Sequence, residues 1–504
     1  MTPEEFSAQY MAHFSAQQKA AVQAVNGAVL LLAVPGSGKT TVLVTRLGYL
    51  ALCCGVDPGS ILVMTYTVAA TQELRARFAA LFPQLSGRTP QFRTINGLSA
   101  KIIESCSRLR GPAFTLQENE GELAALVGRI CLELHGEYPT DATVREIRTA
   151  ITYCKNMMLG ADEIRAQHFD VPGFFTIYTR YCQALRAARQ MDYDDQMTYA
   201  LAILRKHPDV LAQFQTQYPH LCVDESQDTS RVQHAIIRLL AEKTGDLFLV
   251  GDEDQSIYGF RLADPSIFLE KYRTFTDAEE AAEGAPRRII LGRNFRSRGA
   301  VLEACNYIFR AVMGETVGDL VYTDREALHL GAGYYPQAGD KRYRTEVLLA
   351  DTAGGDEDAP EKTELEARLV AQRVRRLLDE GFPVTDKQTG ELRPVTAGDI
   401  VILLRSPKGK ARTYIAALER MGVTATAEQR GGLLETNEVG TIVSLLNVID
   451  NPRQDVDLIG VMLSPLFGFS EEELAEIRLT DRTAGFYDAL LLARDVQLIL
   501  RGVQ

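Results

Sequence analysis

A short glycine-rich segment carries the first residues that could do chemistry. Residues 33–40 read AVPGSGKT and overlap the end of an apolar run. Glycines at 36 and 38 let the backbone approach a phosphate group, and the start of a following helix adds partial positive charge. Lys39 then reaches the β- and γ-phosphates and Thr40 binds Mg²⁺, so we predict a site for ATP with Mg²⁺. The predicted contacts are Ala33, Val34, Pro35, Gly36, Ser37, Gly38, Lys39, Thr40 and Thr41.

Two acidic residues end another apolar run. Asp224 and Glu225 directly follow Leu221–Val223. An aspartate at such a position can hold Mg²⁺, and a neighbouring glutamate can orient or deprotonate the attacking water. The start of an acidic helix is the alternative interpretation, and it explains Asp228 better than it explains two acids that close a strand. We therefore predict that Asp224 binds Mg²⁺ and that Glu225 activates water.

A third polar segment follows a further apolar run, and residues 250–261 read VGDEDQSIYGFR. The amide of Gln255 can distinguish ATP from ADP by a hydrogen bond to the γ-phosphate. Tyr258 and Phe260 can stack on unpaired bases, and Arg261 can pair with a backbone phosphate. The alternative is that both aromatic rings belong to the core. The segment predicts that ATP hydrolysis is coupled to DNA.

Two more candidate residues each have two interpretations. Arg296, at the start of a second α/β unit, can stabilise the transferring phosphoryl group, or it can cap a surface loop. Gln18 can read the edge of adenine, or it can close a helix capping box with Ser15. The predicted catalytic set is Lys39, Asp224, Glu225, Gln255 and Arg296.

Strand and helix patterns alternate along the chain, which indicates an α/β fold with parallel sheets covered on both faces. Apolar runs at Val347–Ala350 and Ile400–Leu404 are further predicted strands, and Gly381 and Gly422 are predicted helix C-caps. The predicted domains are a first lobe (1–96), a helical insertion (97–190), the first lobe continued (191–285), the first part of a second lobe (286–432), and the incomplete start of a second helical insertion (433–504).

Composition limits the class of protein. The chain has 504 residues and a net charge of −12, and no apolar run reaches the ~18–20 residues that span a bilayer. Residues 1–5 lack the pattern of a signal peptide, so we predict a cytoplasmic protein without a membrane partner. The eight cysteines form no CxxC pair, which favours reduced thiols over a zinc site. The negative charge argues against a broad polyanion-binding surface, whereas the arginines between 287 and 298 leave room for a local basic groove.

In this order the segments resemble the motifs of the UvrD/Rep/PcrA group of superfamily 1 DNA helicases, which includes the AddA helicase–nuclease subunits. Residues 191–195 resemble the acidic–aromatic segment at which the helical insertion returns to the first lobe. The part after residue 290 is most similar to AddA. The matching segments are Gln18, Ala33–Thr40, Thr65–Ala70, Asp224–Asp228, Gly251–Arg261, Asn294–Arg298, Asp399–Ser406 and Val448–Pro452.

The resemblance implies two RecA-like P-loop NTPase lobes, each with a helical insertion. It implies an enzyme that hydrolyses ATP to move 3′ to 5′ along single-stranded DNA and to unwind the duplex ahead, in DNA repair or recombination. It also implies that Phe295 stacks on adenine. The residues expected to contact the DNA strand are Thr65, Tyr66, Tyr258, Phe260 and Arg261.

The sequence also departs from the family pattern. Thr41 replaces a common arginine, Phe260 replaces the usual tryptophan, and residues 94–97 (TING) stand where a Thr-x-His motif is common. We find no segment like the family's motifs V and VI, and we therefore expect an incomplete motor that requires a second polypeptide or a missing C-terminal half. The alternative functions are an ATP-gated DNA-binding fragment that cannot unwind alone, and a P-loop NTPase that acts on something other than DNA.

Overall fold

A computed structural model describes residues 1–110, 114–252, 264–314, 322–324, 327–333, 335, 340–350, 362–386, 389–427 and 437–493. The chain divides into two compact units, Met1–Glu346 and Val347–Gln504. None of the helices in the described ranges has the length and apolarity needed to cross a bilayer.

A parallel sheet lies at the centre of the first unit. Within the described ranges it has seven strands in the order β3-β2-β6-β7-β1-β9-β8, and neighbouring strands in it run parallel. Two short pairs, β4 with β5 and β10 with β11, stand apart from it. The strands are β1 (Val29–Ala33), β2 (Ile61–Thr65), β3 (Gln91–Thr94), β4 (Thr115–Leu116), β5 (Gln190–Met191), β6 (His220–Val223), β7 (Leu247–Gly251), β8 (Thr276–Asp277), β9 (Arg287–Leu291), β10 (Arg293–Asn294) and β11 (His329–Leu330).

Helices cover both faces of this sheet. Along β1, Leu30 and Leu32 enter one core cluster, whereas Leu31 and Ala33 enter the other, as the two-residue period of a strand requires. The helices of the first unit are α1 (Pro3–Tyr10), α2 (Ala16–Gln23), α3 (Lys39–Leu52), α4 (Val68–Leu81), α5 (Ile95–Arg110), α6 (Glu120–His135), α7 (Asp141–Asn156), α8 (Ala161–Ala166), α9 (Phe174–Ala187), α10 (Tyr193–Lys206), α11 (Pro208–Gln217), α12 (Arg231–Ala241), α13 (Pro265–Thr274) and α14 (Gly299–Val312).

The helical insertion has a core of its own. Helices α6 to α9 enclose a cluster that extends from Leu123 to Leu185 and is separate from the two clusters beside the sheet. By contrast, Leu98 and Ile102 of α5 are buried in a sheet-side cluster. The predicted boundary at residue 97 therefore falls inside a helix that packs on the sheet, and the separate core begins near residue 120.

The predicted start of the second lobe at residue 286 is wrong. Strand β9, Arg287–Leu291, pairs with β1 inside the first sheet, and Val34 N donates to Leu291 O at 3.2 Å. Ile289 and Leu291 are buried in a core cluster of the first unit. A buried β1 requires a hydrogen-bonded neighbour on each side, and β9 supplies the second one.

The second unit is mostly helical in its described part. Helix α15 (Lys362–Asp379) packs on α16 (Ala411–Arg420), and an antiparallel hairpin of β12 (Pro383–Thr385) and β13 (Leu392–Pro394) lies between them in the chain. Gly381 and Gly422 have φ values of +57° and +71°, which confirms the predicted helix ends. The remaining helices are α17 (Asn437–Asp450), α18 (Asp455–Leu463), α19 (Glu471–Thr480) and α20 (Phe486–Leu492).

Two predicted strands of the second unit are not paired within the described residues. Residues 347–350 and 400–404 are described, yet neither segment pairs with another described segment. Ile400, Ile402 and Leu404 pack against the α15–α16 cluster, while Leu403 is 90 % exposed. The alternation of a strand is therefore present, but a strand also requires a hydrogen-bonded neighbour.

Candidate nucleotide and nucleic-acid site

The phosphate loop lies at the carboxyl end of β1. It connects β1 directly to α3, which confirms the predicted strand–loop–helix context. Gly36 and Gly38 have φ values of +72° and +89°, a region that side chains disfavour. The Ser37 hydroxyl is buried and has no hydrogen-bond partner among the described residues. An unpaired donor beside a helix N-terminus fits a phosphate group.

The side chain of Gln18 bonds to the phosphate loop and to the start of α2. Its Oε1 accepts from Ser15 N at 2.8 Å, which completes the capping box of α2. Its Nε2 donates to Ser37 O at 2.8 Å. The capping interpretation is thus confirmed, and the same side chain also holds the phosphate loop. Contact of Gln18 with adenine stays a prediction.

The acidic pair follows β6, two strands away from β1 across β7. Asp224 N donates to Met64 O at 2.9 Å, which fixes Asp224 at the end of the sheet. Burial, together with the charge of Glu225, raises the pKa of Asp224 to about 6. Glu225 has a φ of +52°, unusual for a residue with a side chain. Such strain is typical of functional sites.

The sheet topology brings these motifs together. Strands β1, β6 and β7 are parallel, so Lys39, Asp224 and Asp252 lie beyond the same edge of the sheet. Lys39 Nζ is 3.4 Å from Asp252 Oδ2, and Asp252 is 4 % exposed. Asp252 is not among the predicted site residues, because a single acid between a strand and a loop has no distinctive spacing.

Gln227 is a second residue of the site that the sequence did not single out. It is 2 % exposed; its Nε2 donates to Glu225 Oε2 at 2.8 Å, and its Oε1 accepts from Asp252 N at 3.2 Å. Its only sequence signal is its place within the Asp224–Asp228 segment.

The Asn294–Ser297 turn packs directly on the phosphate loop. Asn294 Nδ2 donates to Pro35 O at 2.6 Å, and Phe295 N donates to Gly36 O at 2.9 Å. Asn294 Oδ1 accepts from Arg296 N at 2.8 Å and from Ser297 N at 2.7 Å. Arg296 is therefore beside the loop, but it belongs to the first unit and does not come from a second lobe, contrary to the prediction.

Two other arginines of this region have partners among the described residues. Arg288 Nη2 donates to Asp277 Oδ2 at 3.1 Å, within the β8–β9 edge of the sheet. Arg298 stacks on Tyr343, 3.7 Å from the ring centre. Arg288 and Arg298 therefore have partners inside the first unit, and the local basic groove stays a prediction.

Thr65 and Tyr66 line a cleft. Thr65 Oγ1 donates to Thr67 O at 3.1 Å, and Tyr66 OH donates to Gln233 Oε1 at 2.9 Å. Burial raises the pKa of Tyr66. The cleft has a volume of about 890 Å³ and separates the carboxyl edge of the sheet from the helical insertion. Its lining includes Thr94, Asn96, Arg145, Arg148, Asn156 and Tyr193.

The predicted residues Gln255, Tyr258, Phe260 and Arg261 lie outside the described residues. The Phe295 ring lies against Gly331, where an added Cβ would come within 2.8 Å of Phe295 Cε1. Stacking of Phe295 on adenine stays a prediction. Within the described ranges, no group of three or more His, Cys, Asp or Glu residues could hold a metal ion, and binding of Mg²⁺ by Thr40 and Asp224 stays a prediction.

Comparison with known proteins identifies the family of this arrangement. Residues 14–276, more than half of the chain, match the model of the UvrD/REP helicase N-terminal domain. The chain belongs to the UvrD/REP helicase family. The UvrD/REP match contains the phosphate loop, the acidic pair and the sheet strands β1 to β3, β6 and β7, and it agrees with a P-loop NTPase fold built on a parallel sheet.

The chain is also similar to proteins named as ATP-dependent helicase/nuclease subunits, of the AddA type. The relative from Geobacillus kaustophilus is 40% identical over 332 residues, which cover 62% of this chain and 26% of the relative. The relative from Desulforamulus reducens is 39% identical over 355 residues, 63% of this chain and 28% of that protein. In Clostridium beijerinckii the identity is 38% over 340 residues, covering 61% and 27%. The matches span about a quarter of the length of these relatives.

Proposed function

We propose that this chain is the ATP-hydrolysing part of a DNA helicase that acts in repair or recombination and moves 3′ to 5′ on single-stranded DNA. The observation that carries the proposal is the meeting of the phosphate loop, the acidic pair and the Asn294–Ser297 turn at one edge of the sheet. Membership of the UvrD/REP family supports it. Direction of movement rests on the resemblance of the motifs alone.

The proposed chemistry assigns one task to each group. Lys39 leaves Asp252 for the β- and γ-phosphates of ATP, while the backbone of residues 36–39 surrounds the phosphates. Thr40 and Asp224 would hold Mg²⁺, which supplies positive charge to the phosphates when bound. Glu225 accepts a proton from the attacking water. Arg296 stabilises the charge that develops on the phosphoryl group.

We propose that single-stranded DNA enters the cleft beside Thr65 and Tyr66. The cleft offers hydroxyl and amide groups from the sheet edge and the guanidinium of Arg145 from α7. Such a mixture suits a sugar–phosphate backbone, with which arginines and hydroxyls form most contacts. The relatives are named as subunits, so we further propose that a second polypeptide completes the enzyme in the cytoplasm.

The second candidate is an ATP-gated DNA-binding module that cannot unwind. One observation favours it: the described part of the second unit contains a two-stranded hairpin and no parallel sheet. A complete second lobe would be expected to contribute such a sheet to the nucleotide site.

Steady-state ATP hydrolysis with and without single-stranded DNA tests the proposal, with Glu225→Gln as the matched control. DNA stimulation that the substitution reduces by roughly 100-fold or more supports a motor. Displacement of a strand from a duplex with a 3′ tail, but not a 5′ tail, supports the direction. DNA-independent hydrolysis contradicts a DNA motor, and ATP-dependent DNA binding without turnover favours the second candidate.

A further inference from the structure

Gln227 connects two parts of the nucleotide site through one buried amide. On one side, Nε2 donates to Glu225 Oε2 at 2.8 Å; on the other, Oε1 accepts from Asp252 N at 3.2 Å. The side chain is 2 % exposed, so solvent does not compete for either bond.

The space around this amide is closely filled. A Cβ added to Gly251 would lie 2.8 Å from Gln227 Oε1 and 2.9 Å from Ser226 Oγ. The end of β7 therefore lies so close to the Gln227 amide that a side chain at position 251 would clash with it. The bonds to Glu225 and Asp252 are the two shorter contacts of the amide, and Nε2 also lies 3.5 Å from Asp228 Oδ2.

The link continues to the phosphate loop. Asp252, whose backbone N–H contacts Gln227, also places its carboxylate 3.4 Å from Lys39 Nζ. The connected groups are therefore Lys39, Asp252, Gln227 and Glu225, which come from three separate segments of the chain.

We propose that Gln227 is a positioning residue for ATP hydrolysis. It orients the Glu225 carboxylate and responds, through its bond to Asp252, when Lys39 moves away from Asp252. The inference rests on the proposed function, because it assumes that Glu225 activates water. When Lys39 moves to a phosphate, the Asp252 carboxylate loses its contact with the Lys39 ammonium group. Gln227 passes this change on to Glu225, because its amide bonds to both the Asp252 backbone and the Glu225 side chain.

The type of residue matters at this position. A glutamine donates with one atom and accepts with the other, as the two partners require. Glutamate would retain the acceptor for Asp252 N but would place a third carboxylate beside Glu225 and Asp228. Methionine has a similar length and provides neither bond. Gln227→Glu therefore removes the bond to Glu225 and keeps the bond to Asp252, whereas Gln227→Met removes both.

The experiment measures ATP turnover with single-stranded DNA for the full chain and for Gln227→Met and Gln227→Glu. We expect both variants to lower kcat by roughly 10–100-fold, because a misoriented base loses part of its contribution. The KM for ATP is expected to stay within about 3-fold, since the substitution leaves the phosphate loop unchanged. The control is Gln215→Met, which removes a hydrogen bond of 2.8 Å to Leu239 O elsewhere in the first unit.

A second readout needs no turnover. Hydrogen exchange of the Asp252 amide is expected to rise in Gln227→Met and to stay near the native rate in Gln227→Glu. Native kcat in both variants, or unchanged Asp252 exchange in Gln227→Met, would overturn the inference. If the native chain hydrolyses no ATP, the proposed function fails, and the exchange data still decide whether the Gln227–Asp252 link exists.

Discussion

Single residues at the phosphate loop are constrained by contacts that are distant in sequence. Gly36 has a positive φ, and an added Cβ would also lie 2.8 Å from Arg296 Cβ and 2.8 Å from Asn294 Nδ2. The glycine is therefore required twice, once by its own backbone and once by the turn that packs on it. The first requirement was predictable from the motif, whereas the second was not.

Gly36→Ala is expected to weaken ATP binding about 10-fold or more, because the substitution displaces the Asn294–Ser297 turn as well as straining the loop. Gly55→Ala is the matched control: Gly55 has a φ of +70° but no atom within 4 Å of an added Cβ. Both changes carry the backbone cost of roughly 1–2 kcal/mol. Titration with a fluorescent ATP analogue measures the difference, and equal affinities of the two variants would contradict the packing argument.

The raised pKa of Asp224 predicts that the free energy of unfolding depends on pH. Its pKa in the folded protein is about 6, above the ordinary value of 3.8, because of burial and the charge of Glu225. The folded protein binds the Asp224 proton more tightly than the unfolded chain does. Protonated Asp224 therefore stabilises the fold fully below pH 4, and this stabilisation is lost as the pH rises through 6. In nucleotide-free, Mg²⁺-free protein we expect Asp224→Asn to increase the free energy of unfolding by about 1–3 kcal/mol at pH 7.5 and to change it little at pH 4.

Urea unfolding at both pH values measures this effect. Because Asp224 is also the proposed Mg²⁺ ligand, the more stable variant is expected to lose ATP hydrolysis. A native protein that is at least as stable as Asp224→Asn at pH 7.5 would show that the carboxylate is stabilised by other contacts.

At the scale of elements, a buried charge cluster joins the helical insertion to the first lobe. Lys155 of α7 is 4 % exposed, and its Nζ lies 2.7 Å from Asp192 Oδ2 and 2.8 Å from Asp195 Oδ1 at the start of α10. Burial opposes the charge of Lys155, but Asp192 and Asp195 outweigh it and raise the pKa of the lysine. Tyr181 of α9 also donates to Asp192, at 2.9 Å. Three helices therefore meet at one ionic site.

Lys155→Met is expected to lower the free energy of unfolding by about 3–5 kcal/mol, because it leaves two buried carboxylates without their cation. The control is Lys243→Met, which removes an exposed lysine that donates to Thr216, and it is expected to change stability by less than about 0.5 kcal/mol. Denaturant unfolding followed by circular dichroism compares them. Similar midpoints for the two variants would mean that Asp192 and Asp195 are neutralised without Lys155.

At the scale of the whole molecule, the cleft between the sheet edge and the helical insertion is the surface on which DNA binding can be tested separately from ATP chemistry. The net charge of the chain is −12, so DNA affinity must come from local groups. Arg145 is an exposed arginine that lines this cleft, whereas Arg148 already pairs with Glu120 at 2.6 Å.

Arg145→Ala is expected to weaken single-stranded DNA binding and to reduce the slope of log affinity against log salt by about 0.7, the value for one phosphate contact on a single strand. Arg205→Ala, an exposed arginine of α10 that does not line the cleft, serves as the control. Fluorescence anisotropy at several salt concentrations gives both quantities. An unchanged salt slope for Arg145→Ala would place the DNA strand elsewhere.

Much of the local structure was predictable because it depends on neighbouring residues. The phosphate loop, the acids at the end of β6 and the glycines that end α15 and α16 are each specified within a few positions of the chain. The second-unit strands were not, because Ile400–Leu404 has the alternation of a strand but no described partner.

The phosphate-binding loop, the acidic pair and the parallel sheet are readable from the amino-acid sequence, because motif spacing and apolar periodicity are local properties. Three features became known from the folded chain: β9 belongs to the first sheet, Asn294 bonds to the phosphate loop at Pro35, and Gln227 connects Glu225 to Asp252. Asn294 and Pro35 are separated by 259 positions and Lys39 and Asp252 by 213. No periodic pattern encodes such pairs, since they depend on which strands become neighbours when the sheet buries its apolar faces.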